Sequence, residues 1–161
     1  MQMTTIELNK EKFKFSAGHF TIFSATERER LHGHNFRVFV SMTLPVDGTT
    51  GISLDYGVLN KKIMQLCDQL DEYFLLPQKS PYLALEEKGD YIYAYFAEEK
   101  ILFLKRDVFL LPIANITLEN LSQWFLMEIK NEDFIKRYQV QSVGIKIFSA
   151  PGQSASAGWE K

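Results

Sequence analysis

The chain carries a single cysteine, Cys67, so no disulfide can form within it and a fold stapled by bridges is excluded. One cysteine also fits a reducing compartment, and a cytoplasmic protein is the expectation. Positive charge is not in excess. Eighteen Lys and Arg stand against 20 Asp and Glu, for a net charge of −2. The basic residues are scattered among acids, which argues against a nucleic-acid partner. No apolar run approaches the roughly 18 residues that cross a bilayer. The first residues, Met1-Gln-Met-Thr-Thr5, are polar and lack the apolar stretch of a secretory signal. Internal repeats, low-complexity tracts and linkers are missing as well. Histidine is scarce, with three in the chain.

What is present is ordinary for a globular protein: 161 residues, 46% hydrophobic and 24% charged. That length suits a single domain, expected to span 1–161. A chain of this size buries a core without a structural metal, so a bound metal would serve function.

Ile6 and Leu8, then Phe13 and Phe15, alternate with polar neighbours and predict a first strand. Phe36, Val38 and Val40 predict a second. Pro45 to Gly51 reads as a turn centred on Asp47-Gly48. Asp55 is a good N-cap, and Leu59, Ile63, Leu66 and Leu70 form a helical stripe that Leu75-Leu76-Pro77 is expected to end. Residues 78–111 read as an insertion, with a hairpin from Tyr91–Phe96 and Ile101–Leu104 around Glu98-Glu99. Thr117 caps a second helix whose stripe is Leu118, Leu121, Phe125 and Ile129. Val143, Ile145 and Ile147 make a last strand, followed by a small-residue loop from Ser149 to Ala157. The pattern is α+β, an antiparallel sheet with helices segregated to one side.

All three histidines lie within 16 residues, His19, His32 and His34. On a strand, His32 and His34 point to one face, because side chains alternate. His19 closes the preceding strand, where an antiparallel neighbour can bring it opposite the pair. Three imidazoles with a fourth position open are the catalytic arrangement for Zn²⁺. The alternative is two surface histidines on a strand.

Phe15-Ser-Ala-Gly-His19, Leu31-His-Gly-His-Asn-Phe36 and Gly51-Ile-Ser-Leu-Asp-Tyr56 together resemble the 6-pyruvoyl-tetrahydropterin synthases, a family that includes the 6-carboxy-tetrahydropterin synthases of queuosine biosynthesis. Leu70-Asp-Glu72 and Thr117-Leu-Glu-Asn-Leu-Ser122 extend the resemblance over most of the chain outside 78–111. It implies the T-fold: a four-stranded antiparallel sheet with two helices on one face. It also implies assembly into a homotrimer or homohexamer, with sites between subunits. The metal implied is Zn²⁺ on His19, His32 and His34. The chemistry implied is lyase action on the side chain of dihydroneopterin triphosphate.

Several of the family's residues are altered. The position of its catalytic cysteine, four residues before His32, is Arg28. Its Asp-His pair is Asp71-Glu72. Its pterin-anchoring glutamate aligns near Ser149, while the glutamate of the second helix is kept as Glu119, beside Thr117. Glu29 stands three residues before His32. A variant subfamily, in malaria parasites and some bacteria, places a glutamate there instead of the cysteine and resembles enzymes that release 6-hydroxymethyl-dihydropterin, a folate precursor. Glu29 is therefore a candidate base, or else a solvated charge in the run Glu27 to Arg30. Asp71 is a candidate partner, and Glu72 is a candidate or an exposed helix-end acid. Three readings stay open: a zinc-dependent lyase using Glu29, the same fold with another substrate, and a non-catalytic zinc or pterin binder.

Overall fold

The computed structural model describes residues 1–161, with every side chain except that of Glu132. Its spine is β3 (His32–Pro45), a 14-residue strand. Strict alternation decides its placement. Phe36, Val38, Val40, Met42 and Leu44 are all buried on one face, and Arg37, Phe39, Ser41 and Thr43 occupy the other. A strand this long accommodates two partners end to end on one edge. β2 (Lys14–His19) pairs antiparallel with its first half, and β1 (Met3–Leu8) pairs with its second. The single first strand expected from Ile6 to Phe15 is therefore two, separated by a turn in which the Phe13 amide donates to the Lys10 carbonyl.

On the other edge of β3 lie β9 (Ser142–Ala150) and then β10 (Gln153–Glu160). The order β10-β9-β3-β2 is the four-stranded antiparallel T-fold core. The expected loop from Ser149 to Ala157 is a correction: only Pro151 and Gly152 form the turn, and the rest belongs to β9 and β10. The small residues hid a period of two, in which Ala155, Ala157 and Trp159 face inward while Ser154, Ser156 and Gly158 face out. Small inward side chains leave room for a helix against this strand.

Helices α1 (Tyr56–Leu70) and α2 (Leu118–Ile129) cover the buried face. Their caps form as expected. Asp55 accepts from the Gly57 amide and Thr117 from the Asn120 amide, each satisfying an orphan donor of the first turn. Leu59, Ile63, Leu66 and Leu70 meet Phe15, Val38 and Phe125 in one apolar core. A short α3 (Glu132–Arg137) follows α2.

The first helix stops at Leu70, earlier than Leu75-Leu76-Pro77 suggested. Those residues form β4 (Tyr73–Pro77), which pairs parallel with β2 and, on its other side, with β8 (Val108–Leu111). Leu75 and Leu76 are buried on both faces of this strand, and a continuous apolar run of that kind cannot be told from helix by periodicity. With β1, β4 and β8 added, the main sheet has seven strands.

The expected hairpin is present as β6 (Tyr91–Phe96) and β7 (Glu99–Leu104), and β5 (Leu83–Lys88) adds a third strand. Its inner face, Leu83, Ile92, Ala94 and Phe96, packs on Phe20, Ile22, Leu76 and Val108 as a second apolar cluster. Among the described residues no helix is long and apolar enough to cross a membrane.

Cys67 lies fully buried on α1, and that burial pushes its thiol up to about 12. The native protein at pH 8 should therefore resist a thiol-reactive dye, and urea past the unfolding midpoint should expose one thiol per chain. Prompt stoichiometric labelling without urea would contradict this placement.

Candidate metal centre

The β2–β3 register builds the site. His19 stands opposite His32, Ala17 opposite His34 and Phe15 opposite Phe36. All six side chains share the helix-covered face. Phe15 and Phe36 stack at 4.9 Å, and Phe36 meets His34 edge-on at 5.5 Å, so the imidazoles rest on a packed aromatic floor. Gly33, between the two histidines, points to the other face. A Cβ there would sit 2.9 Å from the Ala17 carbonyl oxygen, so this close approach of the strands requires glycine.

One nitrogen from each imidazole lies within 4.8 Å of the others. Nδ1 of His19 donates to the Ile116 carbonyl at 2.9 Å, and Nδ1 of His32 donates to the Arg30 carbonyl at 2.7 Å. A carbonyl only accepts, so both Nδ1 atoms carry hydrogen, and in a neutral ring held this way Nε2 is the atom with the lone pair. Nε2 of His19 is buried without a hydrogen-bond partner, and Nε2 of His32 lies 3.1 Å from Nε2 of His34. Burial pushes the pKa of His19 down, and burial then the neighbouring His32 push His34 down. Three ring nitrogens this close together, with Nδ1 of His19 and His32 tied to carbonyls so that their Nε2 atoms turn toward the cluster, fit a bound cation.

Glu29 joins this cluster. Its carboxylate lies 3.6 Å from Nε2 of His32 and accepts from the Thr21 amide at 2.9 Å. Burial raises its pKa, but the Thr21 hydrogen bonds and the nearby imidazoles outweigh that and hold it below the usual carboxylate value. It is a carboxylate at neutral pH. Segment 20–31 that carries it folds back on itself, bridging Ile22 to Arg28, with a turn in which Ser24 accepts from the Thr26 and Glu27 amides. Asn115 clamps this segment from the other side. Its side chain accepts from the Ile22 amide and donates to the Ile22 carbonyl.

Asp71 and Glu72 lie against β2, at Ser16. Asp71 accepts from the Ser16 amide at 2.7 Å, and the Glu72 amide donates to the Ser16 carbonyl. Glu72 takes a left-handed backbone (φ 63°), uncommon for a residue with a side chain. Glu72 is exposed and lines a cleft of about 510 Å³ with Ser16, Gly18, Gly33 and Asn35, positions that alternate with the histidines and so lie on the opposite face of β2 and β3. Thr117 is engaged in capping α2, next to the Ile116 carbonyl that orients His19. Glu119 lies exposed in the first turn of that helix. Ser149 is half-buried near the end of β9, on the same face as Ile147 by alternation. Thr21, Asn115 and Ile116 were invisible in the sequence, since two of them act through backbone atoms.

The profile of 6-pyruvoyl tetrahydropterin synthase matches residues 7–158. The chain belongs to this family of pterin synthase-type lyases. A curated relative of this member, the "Putative 6-carboxy-5,6,7,8-tetrahydropterin synthase" of Methanocaldococcus jannaschii, is 28% identical over 116 residues, spanning 72% of this chain and 71% of that protein. Among solved structures, the 6-pyruvoyl tetrahydropterin synthase of Plasmodium vivax superposes with a TM-score of 0.94 at 27% identity, covering all of both chains. The Plasmodium falciparum enzyme gives 0.93 at 25% identity, again covering all of both chains. The Caenorhabditis elegans enzyme, at 0.61 and 18% identity over 100% of this chain and 97% of its own, shares the fold.

Gly33→Ala should force β2 and β3 apart, because the obstructing atom is backbone and cannot rotate away. The expected cost is roughly 1–3 kcal/mol, the usual range for overpacking, read from urea unfolding. Unchanged stability would mean that the two strands approach less closely than described.

Proposed function

We propose that this family member is a cytoplasmic, zinc-dependent lyase acting on the side chain of a reduced pterin triphosphate of the dihydroneopterin type, with Glu29 as the proton acceptor. In this reading residues 1–161 work as one T-fold domain, with 78–111 inserted. The observation that carries it is the placement of Glu29. A carboxylate held beside three clustered imidazoles, 3.6 Å from His32, supports a base at this position. The Plasmodium vivax enzyme has been solved with its catalytic residue, a glutamate, replaced by cysteine and by alanine. That supports a glutamate in the same role here.

His19, His32 and His34 would hold the ion, which supplies Lewis-acid polarisation of a side-chain oxygen when bound. The chain's own part is separable. The Ile116 and Arg30 carbonyls fix two ring orientations. Thr21 aims the Glu29 carboxylate and keeps it ionised, ready to take the proton of the hydroxyl on the second side-chain carbon as the bond to the first carbon breaks, the first carbon then being protonated. Asp71, braced on Ser16, and the adjacent Glu72 are secondary candidates for proton transfer. Thr117, Glu119 and Ser149 are the candidates for binding the pterin. With serine where the family's anchoring glutamate aligns, ring recognition rests on other groups. Release of 6-hydroxymethyl-dihydropterin, toward folate, is the outcome that a glutamate base favours. The relative from Methanocaldococcus jannaschii makes a 6-carboxy product, of the queuosine type, the second reading.

The decisive experiment combines metal analysis with product analysis. The purified protein offered zinc should bind one ion per chain, and His32→Ala and His34→Ala should lose it. Glu29→Gln should keep the zinc and lower turnover of dihydroneopterin triphosphate roughly 10²–10⁴-fold, the usual worth of a general base. Glu72→Gln should cost much less. Near-normal turnover by Glu29→Gln would move the role to Asp71, and zinc-loaded protein without turnover would favour a binding-only role.

Assembly is the second expectation. β8 and β10 are open edges of the main sheet, and unpaired edges invite another chain. A homotrimer or homohexamer should appear in light scattering at micromolar concentration. A stable monomer there would count against it.

A further inference from the structure

The residue before Glu29 is an arginine drawn inward. The Arg28 side chain is 14% exposed, unusual for a cation in a surface segment. Its guanidinium lies over two rings, 5.2 Å from the centroid of Phe20 and 5.9 Å from that of Phe96. Nη2 pairs with the Glu99 carboxylate, and Nη1 donates to the carbonyl oxygen of Glu29 at 2.8 Å. Phe20 follows the candidate ligand His19. Phe96 and Glu99 belong to β6 and β7, on either side of one tight turn of the second sheet.

Glu29 is thereby held at three points. Its amide donates to the Thr21 carbonyl, its carboxylate accepts from the Thr21 amide, and its carbonyl accepts from Arg28. The first two lie within segment 20–31 and would move with it. The third also starts inside the segment, but its donor is anchored outside it, on Phe96 and Glu99 of the second sheet. The buried Nε of Arg28 has no hydrogen-bond partner, which offsets part of what the Glu99 pair contributes to stability. What the seat does provide is a preferred direction for Nη1, because a planar guanidinium lying over two rings and paired at one end has little freedom to swing.

We propose that Arg28 is a positioning residue for Glu29, and that the second sheet buttresses the reaction site by supplying Phe96 and Glu99 to seat the guanidinium. This rests on Glu29 being the proton acceptor. Residues 78–111 then act on the chemistry without touching substrate. They set where the carboxylate stands relative to the imidazoles, and displacements of an ångström matter to proton transfer.

The test uses the zinc-loaded full chain, with turnover of dihydroneopterin triphosphate resolved into kcat and KM, and amide hydrogen exchange read at Thr21 and Glu29. Arg28→Ala should lower kcat roughly 10–100-fold with little change in KM, the scale of a mispositioned group. Glu99→Gln, at a half-exposed position where folding is safe, should act in the same direction more weakly. Arg28→Lys should restore little, since an ammonium cannot both pair with Glu99 and hold the Glu29 carbonyl. In a Glu29→Gln background, Arg28→Ala should cost almost nothing further. Exchange at the Glu29 amide should quicken in Arg28→Ala and in Glu99→Gln. The proposal is overturned if the Arg28→Ala loss persists in full without Glu29, or if Glu29 exchange is unaltered in both variants. If Glu29→Gln alone retains turnover, the proton-acceptor reading falls, and the exchange measurements still decide whether Arg28 and the second sheet hold this backbone.

Discussion

The register between β2 and β3 is the constraint on which the site depends. His19 faces His32 across the ladder, and His34 follows two residues on, so the three rings meet only in this alignment. A slip of one residue would send the His32 and His34 side chains to the opposite face. The alignment is enforced from below. Phe15 and Phe36 stack in the next rows, and Phe125 of α2 closes on Phe15 at 5.8 Å. Moving the histidines would require dismantling the apolar core.

A second layer of control comes from parts of the chain remote in sequence. The Ile116 carbonyl, just before α2, orients His19 from 97 residues away. Asn115 beside it clamps segment 20–31 through Ile22. The start of α2 thus steadies His19 and the segment that carries Glu29 together. The electrostatics follow from this packing. Burial pushes the pKa of His19 and His34 down, which favours uncharged rings, while the Thr21 hydrogen bonds hold the Glu29 pKa down and favour its carboxylate. Neutral donors and an adjacent carboxylate suit a divalent cation with a base at its side.

Around the four-stranded core the chain has grown outward from β2. β4 and β8 extend the sheet by parallel pairing, and the connection between them is the second sheet. Parallel neighbours need a crossover of at least a dozen residues, and here that crossover is β5 to β7 rather than a helix. It returns to the site through Phe96 and Glu99, both in contact with Arg28.

The sequence alone determined the α+β class, both capped helices with their buried stripes, the alternation of β3 and the grouping of the three histidines. These are local signals of period 2 or 3.6, together with a motif confined to a few residues. Through the family resemblance it also offered Glu29, three residues before His32, as a candidate beside the alternative of a solvated charge. It misread the segments where context overrides pattern. Leu75 and Leu76 join a strand because both of its faces are buried, and the small residues of β10 are small because a helix lies against them. Only the tertiary structure decided that the Arg28 side chain points inward, that Glu99 meets it, that Ile116 orients His19, and that Asp71 and Glu72 lie against Ser16. Such contacts join residues far apart in the chain, several through backbone atoms that every residue possesses, so no residue type announces them in advance.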